Sequence, residues 1–305
     1  MKTMQLAPPM QSPGEGCDKG TASSHPTIAR AKNRLAPHPI MYNDIYYQRI
    51  NYRGKVLHMF SELFVREIIF EPDVKKCKSY IASLALIRKV PSIKLSKQVT
   101  FFVGENGTGK STLLEAVAVA AGFNAEGGSR NFNFSTYQSH SDLYQYIRLS
   151  KGIKRPKDGF FLRAESFYNV ASEIEELDRQ SGGPSLKDSY GGKSLHEQSH
   201  GESFLALVLN RLNGNGLYIF DEPEAALSPS RQLALLARIN QLVSENSQFI
   251  IATHSPILMA YPDADIYLLD ENGIQLISYK QTEHYLLTKQ FLDDPEKMMR
   301  YLFEK

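Results

Sequence analysis

The sequence predicts an α/β fold with a mostly parallel central sheet, antiparallel β elements and a small helical subdomain. Three observations predict it. Short apolar runs alternate with helix-length runs between residues 98 and 253, the pattern of strands linked through helical crossovers. Residues 217–220 and 248–253 are apolar nearly throughout, as strands covered on both faces are. A glycine-rich turn at residues 104–111 joins an apolar strand to an apolar helix.

The elements follow in chain order. Residues 63–70 alternate and are rich in β-branched side chains, which reads as a strand. Residues 98–103 form a second, more apolar strand ending at Gly104, and residues 111–121, rich in Ala, Leu and Val, form a helix. Residues 131–136 and 159–164 read as strands. Residues 167–180 read as an amphipathic helix with Glu173, Glu175 and Glu176 outward, and residues 181–193 as a glycine-rich loop. A helix over 201–212 precedes the strand 217–220. Ser228-Pro229 puts serine at a cap and proline at the first helical position, and that helix runs to about Val243. After the strand 248–253, residues 265–269 and 273–278 read as a hairpin. Asp294-Pro295 caps a last helix.

Composition narrows the class. Apolar residues make up 42%, ordinary for a globular chain of 305 residues. The net charge of +2 is too small to argue for nucleic acid by itself. Residues 1–58 carry net +5 and six of the fifteen prolines, so the body is slightly acidic. That leader lacks periodicity and reads as a disordered basic arm, a linker to a partner, or a stretch translated upstream of the true start. The folded domain then spans residues 59–305, with the helical subdomain at about 166–213. Cys17 and Cys77 sit in no CxxC or Cys/His cluster, so neither zinc nor a disulfide framework is expected. No apolar run reaches the ~18 residues of a transmembrane segment, and the first residues show no apolar h-region, so a secretory signal is not expected. A reducing, cytoplasmic setting is expected.

Four segments carry chemistry. Gly104-Glu105-Asn106-Gly107-Thr108-Gly109-Lys110-Ser111 fits G-x-x-x-x-G-K-[ST]. Glycines let successive backbone N–H groups turn around phosphates, and the next helix adds its positive N-terminus. Lys110 is expected on the outer phosphates and Ser111 on Mg²⁺; Thr112, next in the chain, joins the same ATP-binding set. Second, the apolar strand ending at Phe220 delivers Asp221 and Glu222 where α/β sheets bind ligands. Asp221 is expected to hold Mg²⁺, directly or through water, and Glu222 to polarise the attacking water. Third, His254 follows another buried strand and can reach the γ-phosphate or the water. Alone it would be a surface-loop histidine. Fourth, Gln198-Ser199-His200-Gly201-Glu202 opens a helix, where Ser199 and Gly201 make either an anion site or an ordinary cap.

In this order the segments resemble the ATP-binding-cassette (ABC) ATPase family over roughly residues 63–278. Walker A is similar to 104–111, Walker B to 217–222, the signature to 198–202, the D-loop to Ala225-Ala226-Leu227-Ser228, and the switch histidine to His254. The resemblance implies a P-loop NTPase fold, ATP and Mg²⁺ as cofactors, and an ATP-dependent homodimer. In that dimer Ser199 and Gly201 touch the nucleotide of the other subunit, and Lys110, Glu222 and His254 are catalytic. Asp221-Glu222-Pro223-Glu224 departs from transporter cassettes and is more similar to the RecF-like and overcoming-lysogenization-defect-like branch. The Q-loop glutamine is replaced by Glu165, a carboxylate within reach of Mg²⁺. Tyr80 and Phe70 are the aromatic candidates for adenine, and either reads equally as a core residue. The 87 residues between Ser111 and Ser199 leave room for a compact helical subdomain but not for two long coiled-coil arms. The implied function is an ATP-driven dimerisation switch in DNA maintenance or phage defence, with an unidentified protein or nucleic-acid partner. The alternatives are a transporter's nucleotide-binding subunit and a non-enzymatic ATP sensor.

Overall fold

A computed structural model describes residues 63–76, 79–130, 141–165, 167, 171–172, 176 and 199–304. The basic leader, the strand expected at 131–136, the loop at 181–193 and most of the helix expected at 167–180 lie outside the described residues.

Nine strands and seven α-helices stand in the described part: β1 (Val65–Phe70), α1 (Ala85–Lys89), β2 (Ser92–Lys94), β3 (Val99–Val103), α2 (Lys110–Ala121), β4 (Ile147–Lys151), β5 (Asp158–Arg163), α3 (His200–Asn210), β6 (Gly216–Asp221), α4 (Pro229–Ser244), β7 (Gln248–Ala252), α5 (Pro256–Met259), β8 (Asp265–Asp270), β9 (Gly273–Ile277), α6 (Glu283–Asp293) and α7 (Pro295–Phe303). The central sheet has the order β5-β6-β7-β3-β8-β9. Its first five strands run parallel and only β9 is antiparallel. The expected hairpin is therefore β8–β9, and β8 also pairs with β3, so the hairpin widens the main sheet. A second sheet, β2-β1-β4, is antiparallel.

The apolar strands divide their side chains between two cores. Leu217 and Ile219 of β6, Ile250 and Ala252 of β7, and Phe102 of β3 face the core that holds α2 and the small sheet. Tyr218 and Phe220, Phe249 and Ile251, and Phe101 and Val103 face the core under α3 and α4. Strands with both faces covered need no polar alternation, which is why these segments read as continuous apolar runs. Buried Gln248 ties the two sheets together. Its Oε1 accepts from the N–H groups of Phe64 and Val65 at 2.9 Å each, and its Nε2 donates to the Val65 carbonyl at 2.8 Å.

Helix limits follow local chemistry. α2 ends at Gly122, whose left-handed φ of 93° lets its N–H reach the carbonyls of Ala118 and Val119. Ser228 is the N-cap residue of α4, and Pro229 follows it at the first turn. Asp294 Oδ1 accepts from Lys297 N at 3.0 Å and starts α7. Among the described residues no helix is long and apolar enough to cross a membrane.

Candidate nucleotide site

The turn after β3 is shaped by its glycines. Gly104 has φ 141°, and a Cβ there would stand 2.1 Å from the Leu269 carbonyl oxygen of neighbouring β8. Gly107 and Gly109 also take positive φ. Thr108 Oγ1 donates to the Glu105 carbonyl at 2.8 Å and closes the loop. Lys110 begins α2 and turns back into it: Nζ donates to the carbonyls of Gly104 at 2.7 Å and Glu105 at 2.9 Å. Only 4% of Lys110 is exposed, and this burial lowers its pKa, opposed by the charges of Glu222, Asp221 and Glu224.

Two carboxylates leave the end of β6 and have different surroundings. Asp221 is buried and accepts from Ser111 Oγ at 3.0 Å. Burial pushes its pKa up to about 6, against the pull of the Arg163 charge and the Ser111 hydrogen bond. Glu222 takes a left-handed backbone, φ 51° and ψ 53°, a strained conformation for a residue with a Cβ. Its Oε1 lies 3.5 Å from His254 Nε2. His254 follows β7, and Glu224 Oε1 accepts its backbone N–H at 2.5 Å. Its Nδ1 is 3.0 Å from Nε2 of His284. Burial, then the Lys110 charge, lowers the His254 pKa, with Glu222 opposing. His254 Nε2 is buried without a hydrogen-bond partner.

Behind Asp221 lies a charged network that the motifs did not announce. Arg163, the last residue of β5, donates from Nη1 to Glu115 Oε2 of α2 at 2.8 Å. Its Nε is 3.7 Å from Asp221 Oδ2, and its Nη2 is 3.6 Å from Glu165 Oε2. Glu115 Oε1 accepts the Ser141 N–H at 2.8 Å. Glu165 itself is exposed.

Two clefts meet at the loop. The larger, about 1150 Å³, lies between Gly104–Thr108, the β8–β9 turn, α1 and the start of α6, and includes Arg88, Lys89, Asp270, Thr282 and His284. The smaller, about 280 Å³, is bounded by Ser111, Glu165, Asp221, Glu222, Ala225 and Ala226. The structure thus brings Lys110, Ser111, Asp221, Glu222 and His254 to one edge, with Glu165 at its rim. Of the aromatic candidates, Phe70 is buried in the core. Tyr80 is exposed, with its hydroxyl 3.3 Å from Thr112 Oγ1.

Ser199 and Gly201 are placed differently, at the start of α3. The Ser199 N–H and Oγ–H both donate to Glu202 Oε2, at 3.1 and 2.8 Å, and Glu202 Oε1 receives Arg231 Nη2 at 3.2 Å. A Cβ on Gly201 would lie 2.5 Å from the Ala226 carbonyl oxygen. Ala226 also borders the smaller cleft, so the turn touches the site through the 225–228 segment.

The chain matches the family described as "AAA domain" over residues 75–214. It matches the family described as "AAA domain, putative AbiEii toxin, Type IV TA system" over residues 195–260. An uncharacterized ABC transporter ATP-binding protein of Haemophilus influenzae is 24% identical over 241 residues, covering 71% of this chain and 88% of that protein. The chromosome partition protein Smc of Methanocaldococcus jannaschii is 26% identical over 160 residues, 45% of this chain and 13% of that far longer protein. Among solved structures, the ADP form of an ATP-binding cassette of an ABC transporter aligns with TM-score 0.44 and 19% identity, over 79% of this chain and 99% of its own. An SMC head domain from Thermotoga maritima aligns with TM-score 0.38 and 14% identity, over 71% and 99%. Taken with the motif order along the sheet, the family matches and the ATP-binding relatives support a likeness to ABC-type P-loop ATPase domains.

Proposed function

We propose that the chain binds ATP with Mg²⁺ on the loop Gly104–Ser111 and Thr112, hydrolyses it, and works as a switch that closes two copies of itself around nucleotide. One observation carries the reading: Lys110, the Ser111–Asp221 pair, Glu222 and the unpartnered His254 Nε2 converge from three adjacent strands. The donors suit the metal. A hydroxyl and a carboxylate already 3.0 Å apart offer the hard oxygens Mg²⁺ takes, with water completing its shell. Glu165 is the third candidate oxygen. Bound there, the metal would neutralise charge on the transferring phosphoryl group.

The chain's own groups do the rest. Lys110 exchanges two carbonyl acceptors for phosphate oxygens. Glu222 accepts a proton from the attacking water, and His254 Nε2 donates toward the γ-phosphate. Phosphoryl transfer rests on such positioning and charge rather than on covalent chemistry. Ser199 and Gly201 serve the nucleotide of the second copy, so turnover needs the dimer. The chain is read as a cytoplasmic switch in DNA maintenance or phage defence. The relatives named as transporter subunits favour the second reading, a permease-coupled cassette. The Asp221-Glu222-Pro223-Glu224 run, and Glu165 in the place where by resemblance a transporter cassette carries its coupling glutamine, argue against it.

The test is Glu222→Gln in the full chain. ATP affinity is expected to hold within about twofold while turnover falls roughly 10²- to 10⁴-fold, the range of general-base catalysis, and the trapped form runs as a dimer with ATP. Wild-type turnover in Glu222→Gln refutes the base assignment, and constant activity per subunit on dilution to monomer refutes the composite site.

A further inference from the structure

His284 has no place in the motif set, yet it is the closest side-chain partner of His254. It is the second residue of α6, and that helix start is firmly held. Thr282, 1% exposed, accepts the Tyr285 N–H on Oγ1, and the Tyr279 and Tyr285 rings pack at 4.7 Å. The preceding turn is closed by Gln281, whose Oε1 accepts from the N–H and Oγ–H of Ser278. His284 Nε2 is thereby fixed 3.0 Å from His254 Nδ1.

A neutral imidazole has one N–H and one bare nitrogen. His254 Nε2 points at a carboxylate, Glu222 Oε1 at 3.5 Å, and an ionised carboxylate only accepts. The proton of His254 therefore belongs on Nε2, which leaves Nδ1 bare. The 3.0 Å contact then has a single sense: His284 Nε2–H donates to His254 Nδ1. We propose that His284 is a positioning residue that fixes the tautomer and ring orientation of His254, keeping Nε2–H aimed at the space before Lys110 and Glu222. The inference deepens the proposed function, because it rests on His254 Nε2 meeting the γ-phosphate. The charged groups around the pair are Lys110 of α2, Glu222 and Glu224 after β6, and Glu283 of α6. Burial and the Lys110 charge both favour the neutral pair that the argument requires. The consequence is that α6, far along the chain from the motifs, sets the protonated face of the switch histidine.

The experiment is long-range ¹H–¹⁵N correlation spectroscopy of the histidine rings in the full chain, with kinetics on the same variants. Wild-type His254 is expected to show a bare Nδ1 and a protonated Nε2, and His284→Leu to show a mixture of tautomers. In His284→Leu, kcat is expected to fall about fivefold with KM for ATP unchanged, the scale of one neutral hydrogen bond. In His284→Gln the side-chain amide can donate to Nδ1, and most of the loss is recovered. An unchanged His254 tautomer in His284→Leu, or His284→Gln no better than His284→Leu, overturns the inference. His254→Ala separates the two readings: wild-type turnover there removes His254 from catalysis, while the nitrogen shifts still decide what His284 does.

Discussion

The carboxyl edge of the central sheet and the turn Ser199–Glu202 carry the same kinds of groups and are wired in opposite ways. At the edge, polar atoms from different elements bond one another under cover: Lys110 to two loop carbonyls, Ser111 to Asp221, Arg163 to Glu115. In the turn, Ser199 bonds Glu202 three residues away, and Arg231 joins them at the surface. Buried polar groups raise the cost of an error, because an unpaired one loses its full solvation. Exposed, self-capped groups change partners cheaply. The edge is thus ordered before ligand arrives, while the turn holds donors in water where another molecule can take them. That asymmetry suits the proposed site completed by a second copy.

Of the substitutions that set the edge against the turn, Lys110→Ala should produce the largest effect, because it removes the ammonium that bonds the Gly104 and Glu105 carbonyls. Turnover is expected to fall about 10²- to 10³-fold, as when one preorganised donor is lost from a charged transition state. Phosphate release and a fluorescent-nucleotide titration measure it, and a loss under about threefold would put the phosphates elsewhere. Arg163→Leu tests the buried wiring. It leaves the Glu115 carboxylate, whose side chain is 9% exposed, with the Ser141 N–H but without its cation, and removing one partner of a buried pair costs about 3–5 kcal/mol. Urea unfolding without nucleotide reads this directly. A loss under about 1 kcal/mol, the scale of surface pairs, would show the edge to be no more tightly bound than the turn.

What the sequence disclosed depended on how local the physics is. The loop 104–111 was legible because glycine conformations and helix-start electrostatics are written in consecutive residues. β6 and β7 were legible because both faces are buried. β2 was not, since a strand of three residues shows no period. β4 was not either, since Ile147–Lys151 mixes polar and apolar side chains along one strand of the small sheet. The Arg163–Glu115 pair, Gln248 and His284 were invisible for a different reason. Each partner lies 30 to 184 residues away in the chain, and single-sequence patterns carry no such pairing. Arg163 had a weak signal as a charge ending an otherwise apolar strand.

Gly201→Ala probes the turn from its packed side. The added Cβ meets the Ala226 carbonyl oxygen and Arg231 at 2.5 Å. The arginine can swing aside, but the backbone carbonyl cannot, so the 225–228 segment must shift. Overpacking of this kind costs about 1–3 kcal/mol. ATP binding by a single subunit is expected to persist while nucleotide-dependent dimerisation weakens, as analytical ultracentrifugation would show. Equal loss of both would join the turn to the edge and remove the contrast between them.

The smallest effect is one of sign, and it separates groups within the edge itself. His254 and His284 both have pKa values lowered from the ordinary 6.5, chiefly by burial. Below about pH 6.5 the unfolded chain therefore binds protons that the folded chain refuses, so stability falls as pH drops through that value. Asp221 runs the other way. Its folded value of about 6 stands above the ordinary 3.8, so between those values the folded state holds the extra proton and gains stability as pH drops. Glu202 in the turn, lowered by its Ser199 bonds, loses its contribution only below about pH 4.5. Between pH 7.5 and 5 the urea midpoint of the wild type should fall from its histidines, against the opposing Asp221 slope. In the double substitution His254→Gln/His284→Gln the midpoint should hold or rise over the same range. Superimposable curves for the two proteins would mean that the histidine pair is not held neutral, and that the edge is wetter than its geometry makes it.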